Sequence, residues 1–328
     1  MSHANISIFV PHLGCPNQCS FCNQRHITGE YTVANAKSVD EAVTIAKTSK
    51  NYSPKDTEIA FFGGSFTAID RDYMLSLLSA AKKYVDNGTV AGIRISTRPD
   101  CITDEILKIL KNYCVTAIEL GAQSLCDRVL SLNKRGHTAK DVENAVKLIR
   151  KYDFELGLQM MTGLYGDTRE GSLYTANEFI RLMPDTVRIY PTIVIKDTKL
   201  ADLVNSGEYA PQSLEDAVKL CCELKDLFEN ANINVIRLGL HSIDEETFVA
   251  GPWHPAFAEL CESEKYYNLI LSNLRNSGEY LVYVNEFEIS KAIGHKKSNI
   301  IRLEKLGYNV KVSPLKTLNK YEINVCKI

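Results

Sequence analysis

The sequence predicts an α/β fold built on a parallel sheet. Short apolar runs alternate with amphipathic helical stretches through the first 230 residues. Those runs are apolar at nearly every position, as in strands covered on both faces. The composition is that of an ordinary globular chain: 328 residues, 45% hydrophobic and 24% charged. Gly and Pro total 28, too few for a collagenous or low-complexity chain, and the 16 Tyr and 11 Phe argue against disorder.

The elements follow in order. Strands are expected at 6–10, 58–62, 92–96, 117–120, 155–160 and 186–190. Helices are expected at 39–48, 73–84, 104–110, 139–152 and 172–182, with a further one at 213–230. Six β-then-α units in series imply parallel strands joined by right-handed crossovers. A barrel-like (β/α) array and an open doubly wound sheet both satisfy this pattern. After about residue 250 the rhythm changes. Gly251-Pro252-Trp253-His254-Pro255 reads as a loop, 257–274 as one helix, and the segment from Glu279 onward as short strands around one helix. The expected organisation is therefore a barrel over 1–250, a connecting loop and helix over 251–280, and a small α/β extension over 281–328.

Charge divides along the same line. The net charge of −2 excludes a generic nucleic-acid binder. Within residues 287–328, however, nine Lys and Arg face three Glu, giving +6 and leaving −8 for the rest. Such asymmetry points to a polyanion-facing tail on an acidic body. The N-terminus shows no basic n-region, and no apolar run approaches 20 residues, so neither a secretory leader nor a membrane span is expected. The expected setting is the reducing cytoplasm.

There, clustered cysteines read as metal ligands before disulfides. Three of the ten, Cys15, Cys19 and Cys22, lie within eight residues directly after the first strand; the other seven are scattered and read as buried filler. In Cys15-Pro16-Asn17-Gln18-Cys19-Ser20-Phe21-Cys22, a short loop can bring three thiolates to one iron–sulfur cluster. A structural zinc site wants four ligands; His12 and His26 are near enough to keep a Cys3His site open by count. Phe61-Phe62-Gly63-Gly64-Ser65-Phe66 ends the second strand, where glycines let the backbone approach a ligand closely.

With both motifs in place, the sequence resembles the radical S-adenosylmethionine superfamily. The resemblance implies a partial (β/α)6 TIM-like barrel, which selects between the two architectures. It implies a [4Fe–4S] cluster on Cys15, Cys19 and Cys22, with one iron left open for the methionine group of S-adenosylmethionine. Gly63, Gly64 and Ser65 would hold the methionine amino group, and Phe21 would lie near the adenine. Reductive cleavage would yield a 5′-deoxyadenosyl radical that takes a hydrogen atom from substrate. A flavodoxin or ferredoxin would supply the electron.

Within the superfamily the chain is most similar to the radical domain of the Elongator catalytic subunit and related bacterial proteins, over roughly residues 5–240. The segments 61–68, Ile95-Ser96-Thr97-Arg98-Pro99-Asp100, 118–125, 132–138 and 187–200 carry this resemblance, which anaerobic coproporphyrinogen oxidases share in part. It implies that Gln123 and Arg135, twelve residues apart, contact the cofactor; the rigid fork of Arg135 suits a carboxylate or ribose hydroxyls. Three departures stand out. The cysteine spacing is compact where Elongator's is expanded. Neither the acetyltransferase domain nor the basic N-terminal extension is expected. Gly163-Leu164-Tyr165-Gly166 stands where relatives carry Gly-Leu-Pro-Gly.

Residues at the C-terminal ends of barrel strands face substrate. This makes Gln159, Tyr165, Tyr190 and Lys196 the substrate-facing candidates, with Arg188 beside them. Glu119 reads as a ribose ligand or as part of a buried network, and Trp253 as a loop anchor. In the tail, Gly294-His295-Lys296-Lys297 precedes a helix, and Leu306-Gly307-Tyr308 leads into a strand. This is similar to the core of a KH RNA-binding module, with Lys297 in place of its second glycine. The likeness implies RNA backbone contact through Gly294, His295, Lys296 and Lys297. The functional expectation is a radical enzyme of RNA, specifically tRNA, modification. The alternatives are radical oxidation of a small molecule such as a tetrapyrrole precursor, and a non-catalytic iron–sulfur RNA-binding protein.

Overall fold

A computed structural model describes residues 3–10, 18–23, 33–240, 243 and 245–328. Its centre is a curled seven-stranded sheet in the order β1 (Ala4–Val10), β2 (Thr57–Gly63), β3 (Gly92–Thr97), β4 (Val115–Gln123), β5 (Glu155–Thr162), β6 (Thr186–Pro191) and β8 (Asn234–Leu238). Every pairing is parallel. The short β7 (Val194–Ile195) pairs antiparallel with β9 (Phe248–Ala250) beyond the end of β6. The sheet is the expected partial barrel, with one strand more than the sequence pattern indicates. The seventh, Asn-Val-Ile-Arg-Leu, lies at the sheet edge with only Leu238 buried, so its apolar signal is weak.

Helices α1 (Ala36–Lys47), α2 (Arg71–Asp86), α3 (Asp104–Asn112), the short α4 (Asp127–Leu132), α5 (Ala139–Ile149), α6 (Arg169–Leu182) and α8 (Leu214–Asn230) surround the sheet, while the short α7 (Lys199–Asn205) packs with β7 beside Ser20. Thr103, Thr138, Thr168, Thr198 and Ser213 each open one of them by accepting a backbone N–H from the first turn. Such caps satisfy donors that the helix itself leaves unpaired, typically stabilising by about 1 kcal/mol each. Ile59, Ile93, Ile95, Ile118, Leu120, Leu156, Leu158, Val187 and Ile189 pack outward against these helices as one apolar core.

The concave face differs from the expectation of apolar strands on both sides. Alternate positions place Arg94, Ser96, Glu119, Gln159, Arg188 and Tyr190 there, interleaved with the outward Ile and Leu. Polar side chains fit this face because the curled sheet does not fill its own lumen. Phe9 is 37% exposed, and Phe62, Ser96, Gln159 and Tyr190 are half-buried. At the bottom of the lumen Arg94 is 2% exposed and reaches three carboxylates: Nε to Glu58 Oε2 at 2.9 Å, Nη1 to Glu119 Oε1 at 3.3 Å and Nη2 to Glu155 Oε1 at 2.9 Å. Burial opposes the charge of Arg94, but these carboxylates outweigh it and raise its pKa.

The C-terminal unit is a separate three-stranded sheet, ordered β11 (Tyr308–Pro314), β10 (Gly278–Val284), β12 (Ile323–Lys327). β10 runs parallel to β11 and antiparallel to β12. Its core joins Tyr280, Val282, Val284, Leu303 and Val310 to Tyr266 and Ile270 of α9 (Phe257–Asn273). α9 also lies against α8, and Lys225 and Lys320 both pair with Glu262. The extension is thus bolted to the barrel through a shared helix. Between β10 and β11 run α10 (Ile289–Ile293) and α11 (Ser298–Lys305).

Candidate active site

The C-terminal ends of β1 to β4 converge. After β2 the chain turns across β1: Gly63 has φ +112°, a Cβ there would meet the Val10 carbonyl oxygen at 2.6 Å, and the Gly64 N–H donates to that oxygen at 3.1 Å. Only glycine fits so close a crossing. Ser65 follows, buried, its Oγ 2.9 Å from Thr97 Oγ1, which is 2.7 Å from Thr67 Oγ1. The Gly63-Gly64-Ser65 turn is thereby fastened to the end of β3.

The cysteine loop comes up on the other side. Cys15, with His12 and His26, lies outside the described residues; Cys19 is buried and Cys22 half-buried. The loop is pinned at Ser20. Its N–H donates to Asn133 O at 3.1 Å, its Oγ to Asn133 Oδ1 at 2.7 Å, and its carbonyl accepts from the Leu200 N–H at 2.7 Å. Asn133 Nδ2 in turn donates to Val129 O and Tyr165 O. Phe21, Tyr165 and Tyr209 all pack against one apolar cluster of Val194, Leu200, Ala201 and Leu203.

Arg135 links the two sides. Its Nη1 donates to Cys19 Sγ at 3.2 Å and its Nη2 to the Gly121 carbonyl at the end of β4. Gln123 adjoins it: an added Cβ on Gly121 would meet Gln123 Nε2 at 3.1 Å and Arg135 Nη2 at 3.5 Å. Gln123 itself adopts a left-handed backbone, φ +65°, at a register break between β4 and β5. Arg98 stands behind, forked onto Asp100 at 2.9 Å through both Nε and Nη2, and also donating to Arg135 O. Burial opposes the charge of Arg98; Asp100 and then the Cys19 and Cys101 thiols outweigh it. His137, buried beside Arg135, is pushed down to about 4, mainly by burial and then by that guanidinium; it stays neutral, its Nε2 3.2 Å from the Ala122 carbonyl.

Four buried polar atoms here have no hydrogen-bond partner among the described residues: Gln123 Oε1, Arg135 Nε, Arg98 Nη1 and His137 Nδ1. Buried polar groups are normally paired, so orphans converging beside a thiol mark the place of a polar ligand. A three-thiolate iron–sulfur cluster and a zwitterionic cofactor fit this donor set. Two guanidinium groups favour the anionic cluster, and the amide and arginine edges remain for carboxylate and hydroxyl groups.

The other sequence candidates divide. Gln159 reaches the lumen and donates from Nε2 to Glu119 Oε2 at 2.8 Å. Glu119, 1% exposed, satisfies a buried network, held also by Arg94 and Arg188. Tyr190 faces the lumen on β6, its hydroxyl 3.5 Å from Arg188 Nη1. Lys196 is exposed beyond β7, where its N–H donates to Thr247 O at 2.8 Å. Gly294, His295, Lys296 and Lys297 lie on the extension, away from this centre, with the last three exposed. Trp253 is half-buried 6.2 Å from the Phe248 ring. The buried Cys221, Cys222 and Cys261 have thiol pKa values raised by burial, which suits apolar filler between α8 and α9. Sequence reasoning did not single out Thr97, Arg98, Asn133 and His137. Thr97 and Arg98 stand at the end of β3, whereas Asn133 and His137 lie in the loop between α4 and α5, where nothing in the local pattern marks them.

A curled parallel sheet with thiols and unpaired polar groups at the same end of its strands defines a cofactor-dependent half-barrel enzyme. Comparison with known families specifies the cofactor. The radical SAM superfamily model matches residues 9–177 and the radical SAM C-terminal domain model matches 184–267. The chain belongs to the radical SAM superfamily, whose enzymes use a [4Fe–4S] cluster and S-adenosylmethionine. An uncharacterised protein of Methanocaldococcus jannaschii is 28% identical over 74% of this chain and 77% of its own length. The tRNA uridine(34) acetyltransferase of Dehalococcoides mccartyi is 28% identical over 68% of this chain. The chain spans 56% of that relative's length. The solved structure of Elp3 from Methanocaldococcus infernus superposes with a TM-score of 0.64 at 21% identity, covering 85% of this chain and 66% of that one. This likeness shows the fold.

The arginine bridge has a direct test. Removing a charged hydrogen bond costs about 1.5–3 kcal/mol, or roughly 10- to 100-fold in rate or affinity. Arg135→Gln is expected to lower the urea unfolding midpoint, since the Cys19 and Gly121 contacts go with it, and to lower 5′-deoxyadenosine formation by about that factor under conditions where the variant is fully folded.

Proposed function

We propose that this chain is a cytoplasmic radical enzyme that modifies RNA, with tRNA as its substrate. The carrying observation is the Arg135 bridge from Cys19 Sγ to the Gly121 carbonyl, with Gln123 beside it. Cys15, Cys19 and Cys22 hold the cluster. Gly63, Gly64 and Ser65 present the glycine turn to the methionine amino group, Gln123 and Arg135 hold its polar groups, and Phe21 lies by the adenine. When bound, the cluster and S-adenosylmethionine supply a 5′-deoxyadenosyl radical for hydrogen abstraction. Gln159 and Tyr190 in the lumen, with Tyr165 beside the cysteine loop and Lys196 beyond β7, are assigned to the substrate side. Residues 1–250 serve as the catalytic barrel and 281–328 as the RNA grip, joined through 251–280.

Two observations support the RNA grip. In the Gly294–Lys297 turn, Lys296 and Lys297 both have left-handed backbones, φ +51° and +62°, with exposed side chains at the start of α11. The turn also lies beside the barrel's loop: the His295 and His254 rings are 5.7 Å apart, edge to face. RNA held there reaches the loops around the barrel. A reduced flavodoxin or ferredoxin delivers the electron, and a cleft of about 600 Å3 lined by Gln18, Cys19, Lys134, Asp197, Lys199 and Asp202 offers the entry.

Each lysine–phosphate contact adds about 0.9 to the salt slope of binding. The double variant Lys296→Ala/Lys297→Ala is expected to bind bulk tRNA about tenfold more weakly, with a log–log salt slope shallower by roughly 2. Unchanged affinity and slope would remove the extension from the RNA site.

A further inference from the structure

Arg188 on β6 and Arg237 on β8 are register partners, so both side chains leave the sheet on its concave face. They stand one inward-facing layer nearer the strands' C-terminal ends than Glu119. Their commitments differ. Arg188 is ion-paired with Glu119, Nη2 donating to Oε1 at 2.7 Å and Nε lying 2.7 Å from Oε2 without hydrogen-bond geometry, and its guanidinium lies 5.2 Å over the Phe62 ring. Arg237 donates only from Nε, to the Gly239 carbonyl at 3.1 Å. Among the described residues no carboxylate pairs with it and both of its terminal nitrogens remain free. Burial, opposed by Tyr190 and reinforced by Arg188, lowers its pKa.

A half-buried guanidinium held by its Nε next to a second arginine is an unfavourable arrangement unless an anion completes it. The lumen in front is open: Phe9 on the opposite wall is 37% exposed, and Gln159 and Tyr190 are half-buried. Free arginine edges present parallel donors that match the oxygens of phosphate or carboxylate.

We propose that Arg237, with Arg188 and the Tyr190 hydroxyl, forms an oxyanion subsite inside the barrel that binds a phosphate or carboxylate carried by the substrate. The subsite rests on the enzymatic reading of the lumen; RNA as the source makes the oxyanion a phosphate next to the target nucleoside, and a small molecule makes it a carboxylate. The subsite is distinct from the methionine-binding end at β1 to β4, so the two are occupied together.

The test uses the full chain with its cluster reconstituted anaerobically and S-adenosylmethionine at saturation. Calorimetry measures inorganic phosphate and acetate binding to the wild type, Arg237→Gln, Arg237→Lys and Lys296→Ala/Lys297→Ala. The expected result is binding of at least one anion by the wild type and by the double lysine variant. Arg237→Gln is expected to weaken it at least about tenfold and Arg237→Lys to weaken it less, as the loss of a fork predicts. Uridine 5′-monophosphate against uridine, and malonate, then separate the sources. A preference for the nucleotide that Arg237→Gln abolishes gives phosphate; the same loss for malonate gives carboxylate. Equal anion binding by wild type and Arg237→Gln, or none by the wild type, overturns the proposal. If bulk tRNA fails to stimulate cofactor cleavage while Arg237→Gln still loses anion binding, the RNA reading falls and the subsite stands.

Discussion

Cys19→Ala is expected to abolish 5′-deoxyadenosine formation, the largest single effect in this molecule. The buried Cys19 thiol receives Arg135 Nη1 at 3.2 Å, and its loop is clamped at Ser20 by Asn133. On the proposed ligand assignment, removing it leaves two of the three cluster ligands, and it takes the acceptor of Arg135 Nη1 while Nη2 keeps the Gly121 carbonyl. Cluster binding needs thiolate ligands, and a lost ligand typically lowers metal loading as well as activity. Iron and sulfide content should therefore fall together with product. The exposed Cys326 supplies the control, since Cys326→Ala is expected to retain both. Cleavage at the wild-type rate by Cys19→Ala would refute the ligand assignment.

The second large effect concerns stability. Arg94 is surrounded by Glu58, Glu119 and Glu155 at the base of the lumen. Replacing it with methionine keeps much of the volume but leaves buried carboxylates without a cation. Breaking a buried pair by removing one partner costs about 3–5 kcal/mol. Arg94→Met is expected to lose about that much in urea unfolding. Glu155 has a 37% exposed side chain, so Glu155→Gln is expected to cost under about 1 kcal/mol, as for exposed pairs. A loss below about 1 kcal/mol for Arg94→Met would show that water reaches this network and screens it.

Much of the barrel was legible because its signals are local. Strands 58–62, 92–96 and 117–120 are short apolar runs, and a parallel strand between helices needs nothing further to be recognised. The three-cysteine loop is contiguous in sequence, so its spacing brought it out, and the Gly63-Gly64-Ser65 turn gained its meaning from its place after the second strand behind that loop. Residues whose meaning depends on curvature were not legible in this way. Arg94 and Glu119 sit inside apolar strands, and their pairing with Glu58 and Glu155 exists only once β2 to β5 are side by side. Arg98 reads as an isolated strand-end charge until the Arg135 carbonyl is folded against it. Arg237 was missed with its strand: β8 has an apolar pattern of three residues at an edge, too short to separate from loop. Tyr165, an ambiguous turn residue in sequence, lies edge to face against Tyr209 and joins the apolar cluster that also takes Phe21, both from segments more than 40 residues away.

The most direct test is anaerobic. The full chain is reconstituted with iron and sulfide, reduced with dithionite, supplied with S-adenosylmethionine, and assayed for 5′-deoxyadenosine with and without bulk tRNA. Product formation that tRNA stimulates is the expected result, because hydrogen abstraction from bound RNA draws cleavage forward. A fully loaded cluster that yields no 5′-deoxyadenosine, or yields the same amount without tRNA, would contradict an RNA-modifying radical enzyme.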